Sequence, residues 1–448
     1  MPSARRLALD ILTKIDSEEG YSNLAVDAAL SKAGLDERDA AFVTALTYGV
    51  LETRLRLDWL LSRFLSGNMK KLKPKVRDIL RLGAYQMIYM DKIPPRSAVD
   101  ESVKLAKACG CTWASGLVNA VLRRLSSELG ALPSPDPGVD PVGCLEVEYS
   151  CPRGLIDKWR AAYGEERALG ILKSLSGRPP AVARVNTLRI TPGELVRSLA
   201  AHGVEAHVSD MADGAVEFGR LPELRSLGEF SKGLFFMQDY ASQLCCRAVG
   251  PVPGGSVTDM CAAPGGKSFT LGIMMEGRGS ITACELYRSR VGLIDEGARR
   301  LGLEQMIKTV CCDSSRPNAM LGLSDRVLCD VPCSGLGAIR RKPEIRYKDP
   351  AGFDLLPDLQ YSILCEGSRH VTPGGRLVYS TCTLNPDENE RVAERFLSEN
   401  PSFSPEPPEE GLIKGEDASV GGQGNCVTLF PERSGGDGFF FARFRRGR

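Results

Sequence analysis

Short apolar runs alternate with longer amphipathic stretches between residues 256 and 383, and this alternation constrains the fold more than any other feature. The strand candidates are "SVTDM", "SITACE", "IKTVCCD", "RVLCDVP" and "GRLVYSTCT". Helical stretches such as "YRSRVGLIDEGARRLGL" separate them. Because consecutive parallel strands need a crossover helix, the pattern predicts an α/β fold with a doubly wound sheet. Ligands of such sheets bind at the carboxyl ends of the strands, near the point where strand order reverses.

The rest of the chain divides into segments of different composition. Residues 1–130 show helical periodicity throughout, as in "ARRLALDILTKID", and predict an all-helical domain. Residues 131–143, which include "PSPDPGVDPVG", predict an extended proline-rich linker. An acidic, strand-like stretch follows, and residues 144–230 predict a small α/β subdomain with Thr191 as a helix cap. Residues 231–448 hold the predicted doubly wound sheet.

Composition narrows the class of protein. The formal net charge is +1, and no apolar run is long enough to span a membrane. The N-terminus mixes acidic and basic residues, unlike a secretory signal, so we expect a cytoplasmic protein that does not enter membranes. The 15 cysteines include no C-x-x-C pair, and the chain has 3 histidines. This pattern predicts reduced thiols and no metal site.

A glycine-rich turn, "TDMCAAPGGKSF", follows the first strand candidate and opens a helix. Gly265 and Gly266 allow close approach of a ligand to the backbone, and the helix N-terminus favours polar or negative groups. The phosphate-binding pattern G-x-x-x-x-G-K-[ST] fails because Cys261 occupies its first glycine position. The dinucleotide pattern G-x-G-x-x-G also fails. The turn therefore suits a nucleoside that carries a small amino-acid tail.

Acidic residues end the next three strand candidates. Glu285 is placed to accept hydrogen bonds from both ribose hydroxyls of a nucleoside, Asp313 to meet the adenine amino group, and Asp330 ends the following strand. Any one of them has an alternative interpretation as a turn former or helix cap. Their recurrence at successive strand ends favours a binding site.

Two of the cysteines also lie at predicted strand ends. Cys333 follows "LCDVP" and Cys382 follows "LVYST". A lone cysteine in such a place is usually a small buried hydrophobe. A pair in polar turns, one of them near Asp330, predicts thiol chemistry.

A basic run, "AIRRKPEIRYK", comes directly after the Cys333 turn. Its candidate RNA-contacting residues are Arg340, Arg341, Lys342 and Arg346. A second basic cluster, Lys70, Lys71, Lys73, Lys75 and Arg77, lies at a predicted helix junction. For both clusters the alternative is a solvated protein surface.

The motifs "DMCAAPGGKS", "CDVPCSGLGAIRRKPEIR" and "YSTCTLNPDENE" resemble, in order, the signatures of S-adenosylmethionine-dependent RNA cytosine-carbon-5 methyltransferases. "VNTLRITPGEL" and "GLFFMQDYASQL" resemble segments that precede that catalytic core. "SARRLALDILTKID" and "NAVLRRL" resemble the NusB-like helical RNA-binding domain. The combination is similar to the bacterial RsmB/Sun (Fmu) type enzymes, which methylate a cytosine of small-subunit ribosomal RNA.

The resemblance implies a Rossmann-like S-adenosylmethionine-dependent methyltransferase fold, preceded by a small RRM-like subdomain and an all-α NusB-like domain. It implies S-adenosylmethionine as cofactor and 16S ribosomal RNA as substrate, either naked or in a partly assembled small subunit, for a monomeric enzyme. In the implied roles Cys382 is the nucleophile, Cys333 releases the product, and Asp330 and Lys267 complete the catalytic set. The implied cofactor-binding residues are Cys261, Ala262, Ala263, Pro264, Gly265, Gly266, Lys267, Glu285, Asp313 and Asp330. The sequence departs from the family pattern at Glu285, where aspartate is commoner, and at Gly297, where asparagine is frequent.

The chemistry explains why two thiols are needed. Carbon 5 of cytosine is a poor nucleophile until a thiolate adds at carbon 6 and turns the ring into an enamine. The adduct must then lose its carbon-5 proton and expel the thiol, and a second thiol assists that step. Alternatives are methylation of another RNA (another ribosomal RNA site or tRNA), a non-catalytic RNA-binding protein, an exocyclic-amine methyltransferase and a P-loop nucleotidase. The amine methyltransferases use an Asn/Asp-Pro-Pro-aromatic motif, which "DVPCSG" does not match.

Overall fold

The computed structural model describes residues 3–18, 20–177, 179–412 and 418–448. The chain forms two units. The helical unit comprises Met1–Gly177 and Ile339–Lys348, and the sheet unit comprises Arg178–Ala338 and Asp349–Arg448. A short segment just after Cys333 therefore leaves the sheet unit, becomes part of the helical unit, and returns.

The helical unit contains nine helices among its described residues. They are α1 (Ala4–Glu18), α2 (Ser22–Ala33), α3 (Glu37–Glu52), α4 (Arg54–Phe64), α5 (Pro74–Tyr89), α6 (Pro95–Ala108), α7 (Ser115–Ser127), α8 (Pro141–Tyr149) and α9 (Arg153–Ser174). Short 3-10 turns occupy Met69–Lys71, Thr112–Ala114, Leu129–Ala131 and Pro343–Tyr347. The apolar residues that recur at helical spacing in α1, Ile11 and Ile15, are buried in the core, as their periodicity predicts.

The amphipathic stretch from residue 37 to 65 forms two helices, α3 and α4, with a break at Thr53, whose hydroxyl donates to the Gly49 carbonyl (2.6 Å). One local expectation is wrong, because the strand-like stretch expected after the proline-rich linker is helix α8. Asp140 caps that helix by accepting from the Gly143 N–H at 3.0 Å, and Pro141 takes its first position.

The sheet unit begins with a small antiparallel sheet in the strand order β2-β3-β1-β4. Its elements are β1 (Ala181–Val185), α10 (Pro192–Ala201), β2 (Ala206–Val208), β3 (Ala215–Phe218), α11 (Gly228–Ser231) and β4 (Phe235–Met237), with a 3-10 turn at Leu224–Ser226. Thr191 caps α10 as predicted, in a reciprocal capping box with Glu194.

A nine-stranded sheet follows, in the order β11-β12-β13-β9-β8-β5-β6-β7, with β10 paired to β13. Its elements are α12 (Tyr240–Val249), β5 (Ser256–Asp259), α13 (Gly266–Met274), β6 (Ser280–Glu285), α14 (Arg288–Leu301), β7 (Ile307–Cys311), β8 (Ser324–Asp330), α15 (Leu356–Arg369), β9 (Val371–Thr381), α16 (Glu390–Glu399), β10 (Phe403–Pro405), β11 (Ala418–Gly421), β12 (Cys426–Leu429), α17 (Pro431–Ser434) and β13 (Phe439–Arg446), with a 3-10 turn at Pro350–Phe353.

The five predicted strands are all present and pair in parallel, which confirms the doubly wound fold. Strand β5 lies between β6 and β8, so strand order reverses between β5 and β8. The carboxyl ends of these two strands carry the glycine-rich turn and the Cys333 turn. No helix within the described ranges has the length and apolar character needed to cross a membrane.

Candidate active site

The two predicted catalytic thiols meet at the carboxyl ends of neighbouring strands. Strands β8 and β9 pair in parallel with Asp330 opposite Ser380. The turns that follow bring the sulfur of Cys333 to 3.3 Å from the sulfur of Cys382. Both side chains are half-buried, and neither cysteine forms a disulfide within the described part of the chain. The two cysteines are 49 positions apart in the sequence, so the register between β8 and β9 brings them together.

A buried carboxylate, Glu388, fixes the geometry of the Cys333 turn. Its two oxygens accept from the Ser334 N–H (2.8 Å), the Ser334 hydroxyl (2.5 Å), the Gln360 amide (2.9 Å) and the Asn385 amide (2.8 Å). The Ser334 hydroxyl also lies 2.7 Å from that of Thr383, next to Cys382. One network of hydrogen bonds therefore fixes both thiol turns relative to each other. The sequence alone assigned no role to Glu388.

A close backbone approach locks the same two turns. The Gly337 N–H donates to the Cys382 carbonyl at 3.0 Å, and the Gly438 N–H donates to the Gly337 carbonyl at 2.9 Å. A Cβ at Gly337 would lie 1.9 Å from the Gly438 oxygen, which only glycine avoids. These contacts hold the Cys382 backbone against the turn that contains Gly337.

The two sulfurs are not equivalent. The adjacent Cys382 sulfur, together with burial, raises the pKa of Cys333 well above its ordinary value. The raised pKa keeps the Cys333 thiol protonated at physiological pH. Either sulfur can donate in the 3.3 Å contact between them.

Lys267 and Asp330 form a second constellation at this edge. The Lys267 ammonium lies 2.7 Å from one carboxylate oxygen of Asp330, and the Ser380 hydroxyl donates to the other at 2.8 Å. The Phe439 ring lies 5.2 Å from the ammonium. Burial alone would lower the pKa of Lys267, but Asp330 outweighs it and raises that pKa above its ordinary value. Lys267 is thus a fixed cation.

Burial gives Asp259, at the end of β5, unusual electrostatics. Its carboxylate accepts from the Ser268 hydroxyl at 2.7 Å and lacks a cation in hydrogen-bond contact among the described residues. Burial raises the pKa of Asp259 to about 6, against the effect of the Ser268 hydrogen bond. Asp259 lies in the glycine-rich turn motif, but the sequence alone assigned it no role.

The glycine-rich turn between β5 and α13 takes the predicted form. Gly265 has φ 108°, and a Cβ there would lie 2.2 Å from the Phe269 ring. Phe269 also explains Gly297, where a Cβ would lie 2.4 Å from the same ring. A Cβ at Gly266 would meet only the Gln238 amide nitrogen, at 3.6 Å. The fold itself therefore leaves room beside Gly266.

Glu285 and Asp313 end their strands as predicted, but their surroundings differ. One oxygen of the buried Glu285 accepts from the Tyr287 N–H at 3.0 Å and lies 3.5 Å from Arg290. Asp313 is partly exposed, and hydrogen bonds from Ser315 lower its pKa. Asp313 is therefore ionised at neutral pH.

Comparison with known proteins identifies the family. The model for 16S rRNA methyltransferase RsmB/F matches residues 247–445, the NusB family model residues 2–127, and the RsmF/B-like ferredoxin-like domain residues 151–220. The chain is 37% identical over 99% of its length to the probable ribosomal RNA small subunit methyltransferase B of Bacillus subtilis, of which the match spans 99%. The chain belongs to the ribosomal RNA small subunit methyltransferase B family.

Solved structures agree on the fold of this RsmB-family chain. The crystal structure of PH0851 covers 100% of it with a TM-score of 0.83 and 23% identity, and 99% of that protein is matched. The structure of NSun6 from Pyrococcus horikoshii with SFG covers 66% of it with a TM-score of 0.60 and 22% identity, and 98% of that protein is matched. The Rossmann-like methyltransferase fold and the NusB-like domain are thus confirmed.

Family membership makes the chain a methyltransferase that acts on RNA, with S-adenosylmethionine as the methyl donor. The residues present fit that donor. The Gln238 amide nitrogen is a buried donor with no partner among the described residues, and it borders the open space at Gly266. Glu285 and Asp313 offer carboxylates at the ends of the next two strands, where a nucleoside lies in sheets of this topology.

The structure places the basic run after Cys333 in the helical unit. Arg346 is buried, and its guanidinium donates to the carbonyls of Tyr149 (3.1 Å) and Ser150 (3.3 Å). The Tyr347 hydroxyl donates to the Leu51 carbonyl at 2.8 Å. Arg346 therefore anchors this segment by internal hydrogen bonds, and we do not propose it as an RNA contact. Arg340, Arg341 and Lys342 stay half-buried near the start of the segment.

Proposed function

We propose that this protein transfers the methyl group of S-adenosylmethionine to carbon 5 of a cytosine in 16S ribosomal RNA, through a covalent bond between Cys382 and carbon 6 of the base. The observation that carries the proposal is the 3.3 Å separation of the two sulfurs at the end of the parallel strands. Family membership supports a small-subunit ribosomal RNA substrate. A single buried cysteine would contribute to core packing, whereas two hydrogen-bonded thiols in polar turns are suited to catalysis.

In the first step the Cys382 thiolate adds to carbon 6, and the ring becomes an enamine with a nucleophilic carbon 5. The glycine turn and the carboxylates of Glu285 and Asp313 would hold S-adenosylmethionine, which would supply the methyl group and leave as S-adenosylhomocysteine. The Cys333 hydrogen bond favours the ionised form of Cys382 before the attack. Gly337 and Glu388 hold both sulfurs in place, so little reorganisation is needed.

We assign Lys267 and Asp330 to the pyrimidine. The Asp330 carboxylate accepts a hydrogen bond from the exocyclic amine and distinguishes cytosine from uracil, which has a carbonyl there. Lys267 holds the carboxylate and supplies positive charge where addition makes the ring more negative. In this assignment the pair acts on the base, and neither residue forms a covalent bond.

Cys333 acts in the last step. The methylated adduct loses its carbon-5 proton to water, the carbon 5–carbon 6 double bond re-forms, and the bond from carbon 6 to the Cys382 sulfur breaks. The Cys333 thiol, 3.3 Å away, donates its proton to the departing sulfur and regains one from the protonated water.

Arg340, Arg341 and Lys342 contact the phosphates of the RNA. The enzyme acts as a cytoplasmic monomer.

Covalent trapping tests the mechanism. Purified full-length protein is incubated with transcribed 16S RNA and S-adenosylmethionine, then separated on denaturing gels. We expect Cys333→Ala to accumulate an RNA–protein adduct, Cys382→Ala to form neither adduct nor 5-methylcytosine, and Cys144→Ala, in the helical unit, to behave as the unchanged protein. An adduct in Cys382→Ala that is absent from Cys333→Ala would reverse the assignment. Methylation by Cys382→Ala at the normal rate would refute the mechanism.

A further inference from the structure

The helical unit contains a cavity of about 540 Å³ at the junction of α4 and α5. The cavity is lined chiefly by Asp58, Trp59, Asn68, Lys70 and Arg77. A volume of this size is typical of small-ligand sites rather than of packing defects. Nothing in the reaction proposed above uses it.

One wall of the cavity is aromatic. Trp59 is half-buried, and the Arg63 guanidinium lies 4.3 Å from the centre of its ring. This distance is that of a cation–π contact. Because Trp59 lines the cavity, its indole forms an aromatic wall on which a planar ligand would stack.

The polar wall has more donors than acceptors. Asp58 is already committed to Arg81, which donates to both of its oxygens at 2.7 Å. The side-chain oxygen of Asn68 accepts from the Lys70 N–H at 2.8 Å. The Nε of Arg77 is buried and has no hydrogen-bond partner within the described part of the chain. Arg77 also lines the cavity, so its guanidinium adds positive charge to this wall.

The surroundings point to a polyanion. Lys70, Lys71 and Lys73 are exposed around the junction, and no ion pair is found for any of them among the described residues. Lys73 lies 5.4 Å from the ring of Trp113, which is 61% exposed. Basic residues interleaved with accessible aromatic rings are the pattern of single-stranded nucleic-acid binding, in which bases stack and phosphates meet cations.

We propose that this cavity binds one unstacked nucleotide of the substrate RNA, with the base against Trp59 and the phosphate at Lys70 and Arg77. The proposal rests on the RNA substrate of the proposed function, but not on the thiol chemistry. It gives the helical unit a base-binding subsite in addition to a general electrostatic surface.

Binding measurements on the full-length protein test the subsite. The probes are fluorescein-labelled single-stranded oligoribonucleotides and a duplex of the same sequence, titrated at several salt concentrations. We expect the double variant Lys70→Gln/Arg77→Gln to weaken single-strand binding about tenfold and to reduce the salt slope by about two. Trp59→Phe, which keeps a ring, should bind more tightly than Trp59→Leu. Lys32→Gln, an exposed lysine elsewhere in the unit, is the matched control.

Two outcomes would overturn the proposal. One is a double variant that binds the single strand as the Lys32→Gln control does. The other is equal weakening of duplex and single-strand binding with no difference between Trp59→Phe and Trp59→Leu, which would indicate backbone contact alone. Parallel adduct assays on Cys333→Ala separate the two hypotheses. If the cavity variants lose RNA binding but Cys333→Ala forms no adduct, only the thiol mechanism is refuted.

Discussion

The catalytic edge of the sheet and the basic junction of the helical unit both concentrate charge, but they do so in opposite ways. At the sheet edge Asp330 is held by Lys267 and Ser380, and Glu388 accepts four hydrogen bonds. At the junction the lysines are exposed, and the Nε of Arg77 has no partner among the described residues. The charged groups of the sheet edge are held by internal hydrogen bonds, whereas the lysines of the junction are exposed and keep their donors available.

This contrast has an energetic basis. Removing one partner of a buried ion pair leaves an uncompensated charge and costs about 3–5 kcal/mol, whereas an exposed charge contributes less than about 1 kcal/mol to any pair. Substitutions at the sheet edge should therefore change the rate of the chemical step or the stability of the unit. Substitutions at the junction should change RNA affinity by small increments.

The largest effect is expected from Lys267→Met. The change leaves Asp330 without its cation and removes positive charge from the base, so the single-turnover rate of methyl transfer should fall about 100- to 1000-fold. Lys308→Met, at an exposed position of β7, is the control. The rates are measured with enzyme in excess over RNA. A loss of less than threefold would show that the ion pair is structural.

Asp259 is a buried carboxylate of this edge that lacks a cation in hydrogen-bond contact among the described residues, and its pH dependence sharpens the contrast. Because its folded pKa is raised to about 6 from about 3.9 in unfolded chains, its contribution to stability is complete below pH 4 and is lost as pH rises through 6. The unfolding free energy of Asp259→Asn, measured in urea, should gain about 2–3 kcal/mol relative to the unchanged protein between pH 4 and pH 7. Equal slopes for the two proteins would contradict the raised pKa.

A smaller loss is expected from Glu388→Gln. The substitution replaces one acceptor oxygen by an amide that must face the donors of Ser334, Gln360 or Asn385. The thiol turns should loosen, and methyl transfer should fall about 10- to 30-fold, with a free energy of unfolding lower by about 1–3 kcal/mol. Glu399→Gln, on the exposed end of α16, is the matched change. Unaltered activity would mean that the Gly337 contact alone fixes the turns.

The pattern of the sequence predicted the sheet because periodicity is local. The five parallel strands, the Thr191 cap and the positive-φ glycine at position 265 all follow from short segments. The resemblance to the family supplied the roles of Cys333 and Cys382. Their proximity in the structure depends on sheet register, which the sequence does not state.

The residues that were missed depend on tertiary surroundings. Glu388 reads as a surface acid in "NPDENE", yet it is fully buried because Ser334, Gln360 and Asn385 converge on it. Arg346 reads as part of a basic surface, but its segment folds into the helical unit, where backbone carbonyls take its donors. Charge patterns indicate composition, whereas burial is set by distant parts of the chain.

The smallest effect is expected at the junction, from Lys71→Gln. This lysine is exposed and is not among the residues that line the Trp59 cavity, so it meets RNA only as a point charge. Removing it should weaken RNA binding about two- to threefold and reduce the salt slope by about one, equally for single-stranded and duplex RNA. The change should appear in KM rather than kcat, the reverse of Lys267→Met. A lower kcat in Lys71→Gln would break the division between positioned charge and available charge, because an exposed cation would then be acting on the chemical step.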